Sequence, residues 1–281
     1  MAERVRVIAT RGLNVRTGAG TQYARVGALP YGAVATVVSR SGVWGEISAP
    51  LEGWIHLGYT EPVGAPPPDE EGEAYIETPA VDLSLWNRVD SLFWATARPW
   101  VTILKATQGV SILDPHFGER WVRARFLDWP RWSYHFYDPA VPGEDQAEVF
   151  LRVSGIQQGE RAVLDLEWIA PYDELTWAAD GVDAWLSLVE QATGTPPVVY
   201  TRRDVWMAYF GDASHPWAEE RGWPLWIADY RGTEEPLMVP GWTRWALWQY
   251  TSTGRWPGVA GNVDLSRVAK WFDSQERGDD G

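Results

Sequence analysis

Between residues 75 and 275, short apolar, β-rich runs recur eight times, and this repetition limits the possible folds more than any other feature. The runs are residues 80–83, 101–106, 132–137, 162–167, 197–201, 225–229, 245–250 and 262–264. Helical patterns separate the early runs. Val182, Trp185, Leu186 and Val189 fall on one helical face, and Gly194 follows it. Ala147, Phe150 and Leu151 begin a second helix that closes at Gly155, and Trp121, Ala124 and Arg125 sit on a third. Strand–helix alternation predicts a parallel α/β sheet. Residues 231–243 and 251–261 are rich in Gly and Pro and have no helical period. The expectation is therefore an irregular eight-stranded TIM-like (β/α) barrel over residues 75–275, with helices missing after the last strands.

Chemistry in such barrels gathers at the C-terminal strand ends. Four of the eight runs end in or near an acid: Asp82, Asp165 with Glu167, Asp229, and Asp264. In Val163-Leu164-Asp165-Leu166-Glu167-Trp168, side chains two apart share a face, so both carboxyls point the same way. Repulsion and partial burial should raise one pKa and leave the other low. A proton donor beside an anion is what glycosidic cleavage requires. Alternatively, Asp165 caps the next segment and Glu167 is solvated. Asp264 could equally close the barrel through a hydrogen bond, and Asp229 reads as structural. Lys105 lies inward on the second strand, where it would pair with an acid, and His135 reads as a satisfied interior histidine.

Composition removes other classes. The chain has no cysteine, so thiolate nucleophiles and cysteine zinc sites are out. Its four histidines make no spaced pair, so neither a metal nor another cofactor is expected. A net charge of −14 argues against nucleic acid as a partner. No stretch approaches the ~18 apolar residues of a membrane span, so no membrane insertion is expected. Twenty tryptophans serve a core, but some could stack on sugar faces.

Residues 1–60 read differently. Five or six short strands separated by turns indicate a small all-β barrel. Gly18-Ala19-Gly20 lacks a third glycine and a following helix, so it is a hairpin turn and not a phosphate loop. Six arginines against three acids give this segment +3, which leaves −17 for the remainder. Residues 61–74, with three consecutive prolines and an acid cluster, read as a linker, and residues 276–281 as a disordered tail. The motif from Leu13 to Thr21, with Tyr23, Val26, Leu29-Pro30-x-Gly32, Trp44 and Gly53-Trp54-Ile55, resembles the bacterial SH3-like domain. The resemblance implies cell-wall or peptide binding, with Tyr23, Tyr31, Trp44 and Trp54 as groove aromatics. Trp44 and Trp54 could instead fill the small core.

The larger segment resembles the glycoside hydrolase family 25 muramidases, the Chalaropsis-type lysozymes. Its motifs are Val81-Asp82-Leu83-Ser84-x-Trp86, Leu104-Lys105-Ala106-Thr107-x-Gly109, Asp114-Pro115-x-Phe117, Tyr134-His135-Phe136, Leu164-Asp165-Leu166-Glu167, Val199-Tyr200-Thr201, Leu225-Trp226-Ile227-Ala228-x-Tyr230, and Trp248 to Ser252 running on to Gly261-Asn262-Val263-Asp264. The resemblance implies cleavage of the β-1,4 bond between N-acetylmuramic acid and N-acetylglucosamine in peptidoglycan. Glu167 would be the general acid and Asp165 its partner, with Asp82 and Asp264 as further acids. Tyr134, Tyr200, Trp226, Trp248 and Tyr250 would bind substrate. Gln108, Ser133 and Leu265-Ser266 depart from the family pattern without touching the acid pair. Whether Asp165 acts directly or through the substrate's N-acetyl group stays open, since substrate-assisted schemes exist.

Three rivals remain in view: a non-catalytic wall binder, a glucosaminidase on the same polymer, and a wall peptidase or amidase. The last needs a thiol or metal site that this composition does not offer. The expected partner is bacterial peptidoglycan, met as a monomer. Residues 1–20 lack the apolar stretch of a secretory signal. That fits a phage or prophage lysin released through a membrane lesion, or a secreted enzyme lacking its leader.

Overall fold

The computed structural model describes residues 3–9, 12–29, 33–49, 51–62, 75–95, 98–157, 160–169, 175–211, 218 and 221–277. The chain divides into two compact units, one formed mainly by residues 1–72 and the other by the rest.

The first unit is a seven-stranded antiparallel sheet. Its strands are β1 (Glu3–Val7), β2 (Leu13–Arg16), β3 (Arg25–Leu29), β4 (Val34–Ser41), β5 (Trp44–Ala49), β6 (Gly53–His56) and β7 (Thr60–Pro62), in the order β3-β2-β6-β5-β4-β1-β7. Alternation sends Val5, Val7, Leu13, Val15, Ala35, Val37, Ile47 and Ile55 inward. The seventh strand carries pairing on to Pro62, two residues past the expected domain end. Gly53 is required where β6 meets β2. Its φ is 144°, and a Cβ there would lie 2.7 Å from the Arg16 carbonyl oxygen.

The second unit is a closed barrel of the eight expected strands. They are β8 (Tyr75–Leu83), β10 (Thr102–Gln108), β12 (Arg131–Phe136), β13 (Arg161–Leu166), β14 (Val198–Thr201), β15 (Leu225–Ala228), β16 (Leu247–Gly254) and β18 (Val263–Ala269). Between them lie α1 (Ser91–Ala95), α2 (Phe117–Phe126), α3 (Gly143–Ser154), α4 (Leu175–Thr193) and α5 (Arg203–Phe210). Short strands β9 (Arg88–Val89) and β17 (Val259–Ala260) pair with each other, β11 (Ile112–Leu113) folds back on β10, and α6 (Lys270–Arg277) ends the fold. Helix α6 passes the expected boundary at residue 275, and its Glu276 ion-pairs with Arg161. Among the described residues no helix is long and apolar enough to cross a membrane.

Strand pairing is parallel from β8 through β10, β12, β13, β14 and β15 to β16. The eighth strand is different: β18 is antiparallel to both neighbours, β16 and β8. The physical reason is the connection. Residues 251–261 have no helical period, so the chain turns back as a hairpin, which can only give an antiparallel neighbour.

The outer helices pack as their spacing requires. Val182, Trp185, Leu186 and Val189 are all fully buried, and Gly155 and Gly194 close α3 and α4 with positive φ. Helices α3 and α4 cross so closely that a Cβ on Gly143 would lie 1.8 Å from the Gly181 carbonyl oxygen. Trp185, Trp206, Trp223 and Trp248 are among the largest side chains the core buries completely.

Candidate active site

Strand β13 is buried along nearly its whole length and delivers two acids to the barrel mouth. Asp165 lies on the strand and is 6% exposed, while Glu167 follows its end and is only half-buried. Alternation puts both on one side, as expected. Their carboxyls lie within hydrogen-bonding reach of each other. They face a cavity of about 220 Å³ that Asp82, Asp264, Tyr134, Tyr200 and Trp226 also line.

Asp82 on β8 and Asp264 on β18 are direct register partners. Asp264 stands at the start of its strand, not at its end. It still reaches the mouth because β18 runs the opposite way, so its beginning lies beside the ends of the parallel strands. The antiparallel turn therefore builds the fourth acid into the site.

Gln249, on β16, organises the floor. Its amide nitrogen donates to Asp82 Oδ2 at 2.9 Å. Its amide oxygen accepts the Tyr200 hydroxyl at 2.8 Å and also the Tyr230 hydroxyl. With both phenols donating to its oxygen, the amide presents an N–H to Asp82. Trp226 is anchored by its indole N–H on Ser266 Oγ at 2.9 Å and stands edge-on to Tyr200.

Burial sets the electrostatics. It holds Asp165 well above the usual carboxylate range, and the neighbouring Glu167 charge adds to this. Burial, then the Asp264 charge, does the same for Asp82 against the lowering hydrogen bond from Gln249. Asp264 is raised too, again chiefly by burial. Burial also raises the Tyr134 and Tyr200 hydroxyls. Lys105 is lowered by its own burial, although Asp165 is the acid acting most strongly on it. Its ammonium donates to Gln108 at 2.9 Å and sits over the Phe136 ring, so the acids act on it through charge and not through a direct bond among the described residues. One further atom stands out: Asp165 Oδ1 is buried, and no donor among the described residues reaches it.

Several residues are placed elsewhere. His135 is enclosed between Thr107 and Gln146 and stacks on Trp185. Burial pushes its pKa down to about 4, so it stays neutral and structural. Asp229 turns away to pair with Arg231 and to accept the Leu237 N–H. Trp248 and Tyr250 do not line the cavity, contrary to expectation. Gln249 points into the mouth, so its neighbours on β16 point out of it. Trp248 is 1% exposed with its indole N–H on the Asp229 carbonyl, and the Arg267 guanidinium lies over both rings. Arg202, Tyr230, Gln249 and Ser252 line the cavity and were not singled out from sequence. Strand alternation was the available signal for Gln249: a face that holds it cannot also hold Trp248.

In the small unit, Trp44 and Trp54 are half-buried and lie outside the aliphatic core. They share the outward face of β5 and β6, where Trp44 opposes His56 and Trp54 opposes Glu46. Trp44 meets the His56 ring edge-on at 5.1 Å, and His56 lies 5.2 Å from Tyr59. Tyr23 is exposed and covers Gly18, where a Cβ would strike its ring. Tyr31 lies outside the described residues.

Comparison with known proteins matches each of the two units to a family model. The model of glycosyl hydrolases family 25 matches residues 81–259, and that of the bacterial SH3 domain matches residues 11–61. An uncharacterized protein, YegX of Escherichia coli O157:H7, is 30% identical over 188 residues, covering 64% of this chain. The match takes in 63% of that relative, so the chain spans less than two thirds of its length. Lysozyme M1 of Streptomyces globisporus is 27% identical over 220 residues, 71% of each chain. The crystal structure of the bacterial lysozyme from Streptomyces coelicolor superposes with a TM-score of 0.61 at 26% identity, covering 68% of this chain and 91% of that one.

Proposed function

Since the chain belongs to glycosyl hydrolases family 25, we propose that it is a muramidase that cuts the β-1,4 bond between N-acetylmuramic acid and N-acetylglucosamine. Glu167 is the general acid. The observation that carries this reading is the Asp165–Glu167 pair, two carboxyls in mutual reach at a barrel mouth that also holds Asp82 and Asp264.

The same closeness favours one mechanism. Direct displacement on a sugar needs two carboxyls roughly 5–5.5 Å apart, and the inverting route needs roughly 6.5–9.5 Å. Two carboxyls in mutual reach at the end of one strand leave little room for a sugar between them. Asp165, which lines the cavity, is thus better suited to hold the substrate's acetamido N–H than to attack the anomeric carbon. In the resting pair burial favours the proton on Asp165. An N–H donated to the Asp165 carboxyl favours its anion and lets the proton pass to Glu167. Glu167 then protonates the leaving oxygen while the acetamido oxygen bonds to the anomeric carbon and the glycosidic bond breaks. The Glu167 carboxylate next takes a proton from water as the water oxygen attacks that carbon. This restores the acid and frees the acetamido group. Asp165 gains interaction energy as positive charge grows on the ring being formed, which is stabilisation specific to the transition state. Asp82, held by Gln249, and Asp264 beside it complete the field.

The small unit supports wall attachment. Trp44, Trp54, His56 and Tyr59 offer a rigid aromatic face, and the segment's +3 charge offsets the −17 of the remainder at an anionic wall. The enzyme would work as a monomer on the wall, after release by lysis or secretion.

The test is mass analysis of muropeptides after digestion and borohydride reduction. Reduced muramic acid at the new ends is the expected product. Reduced glucosamine would make the protein a glucosaminidase, and unchanged glycan would leave only a wall binder.

A further inference from the structure

A second cleft, of about 620 Å³, opens beside the acidic one; it is largely apolar and carries three arginines against two aspartates. Arg202 and Tyr230 border both clefts, so they form one continuous surface. Arg203 and Arg231 join Arg202 in lining the second cleft, and Met207 and Leu237 supply its apolar wall.

The arginines are not equivalent. Arg202 grips Asp204 through two hydrogen bonds of 3.1 and 2.9 Å. Arg231 grips Asp229 in the same two-pronged way. Arg203, at the start of α5, donates to the Met238 carbonyl and has no carboxylate partner among the described residues. A carbonyl orients a guanidinium but does not neutralise it. The second cleft therefore keeps one uncompensated positive charge, next to a cavity lined by four acids. A ligand matched to both must not be anionic where it meets the acids and is best anionic where it meets Arg203.

Peptidoglycan has that pattern. Its sugar rings are neutral, and the lactyl group of each muramic acid carries a short peptide with free carboxylates and small apolar side chains. Building on the muramidase reading, we propose that the second cleft binds the stem peptide of the substrate. A peptide carboxylate sits on Arg203, and the apolar side chains lie against Met207 and Leu237.

The experiment uses the full chain with Glu167→Gln, so that ligands stay intact, and two glycan fragments of equal length. One keeps its stem peptides; the other has been stripped of them by an amidase. Calorimetry should show the peptide-bearing fragment binding about tenfold tighter, the effect of one charge-assisted contact. Adding Arg203→Ala should erase that preference and leave binding of the stripped fragment unchanged. Leu237→Glu should do the same by repulsion, at a position 49% exposed and so tolerant of the change. Equal affinity for the two fragments would overturn the proposal, as would an equal loss for both in either variant. Cleavage of the same fragments by the unaltered chain is scored separately. Cleavage of both with equal affinities removes the peptide site and keeps the hydrolase. A tenfold preference with no cleavage does the reverse.

Discussion

The residues that fill the small barrel, from Val5 to Ile55, are all aliphatic, whereas the large barrel buries Asp82, Lys105, Asp114, Arg120, His135 and Asp165 among its apolar side chains. Most of those buried polar groups are locally satisfied. Asp114 accepts the Leu85 and His116 N–H groups, and Arg120 donates to the Ser84 and Asn87 carbonyls. Asp165 is satisfied only in part: its buried Oδ1 has no donor among the described residues, and burying it so costs free energy. The contrast separates two ways of working. The small unit keeps its core simple and places Trp44, Trp54, His56 and Tyr59 on an outer face. The large unit holds carboxyls out of water at its mouth, at a cost in stability that the proposed chemistry would explain.

The largest expected effect tests the interior. Glu167→Gln keeps shape and removes the transferable proton, so release of reducing sugar should fall by roughly two to four orders of magnitude with an unchanged circular dichroism spectrum. Near-normal turnover would end the role given to Glu167 and with it the contrast between the units.

Next comes the aliphatic core. Ile55 is fully buried, and Ile55→Ala should cost about 2–4 kcal/mol in a unit too small to absorb it. Calorimetry should show the small unit's transition falling while cleavage of soluble glycan fragments persists and clearing of whole walls declines. Loss of activity on the soluble fragments would show that the two units do not divide the work in this way.

The third effect has the opposite sign. Burial raises the Asp82 pKa, so the folded chain binds more protons than the unfolded chain above pH ~4. The stability associated with this group is complete below its unfolded pKa and is lost as pH rises through its folded pKa. Asp82→Asn removes that loss and can still accept from Gln249. It should raise the melting temperature at pH 7 by a few degrees, on the order of 1 kcal/mol, with no gain near pH 3, while activity falls. A variant less stable at pH 7 than the parent would contradict the assigned burial cost.

The smallest effect is on the outer face. Trp44→Ala should weaken sedimentation with purified walls by a few-fold, the scale of ~1 kcal/mol for one aromatic contact, and leave hydrolysis of soluble fragments alone. Unchanged wall binding would move the contact away from β5 and β6.

Much of this was legible in the residues themselves. Eight apolar runs, three helical faces, two of them closed by glycines, and the loss of helical period over residues 231–243 and 251–261 determined an irregular barrel. The two-residue spacing of Asp165 and Glu167 determined that they share a face, because strand geometry is local. The tertiary structure decided what depends on neighbours distant in the chain. It set the reversed direction of β18, which brings Asp264 opposite Asp82, and the selection of Gln249 over Trp248 and Tyr250 for the mouth. It also left one carboxyl oxygen of Asp165 without a donor. Pattern is written along the chain, but burial, pairing and charge are properties of what surrounds a residue once the chain has closed on itself.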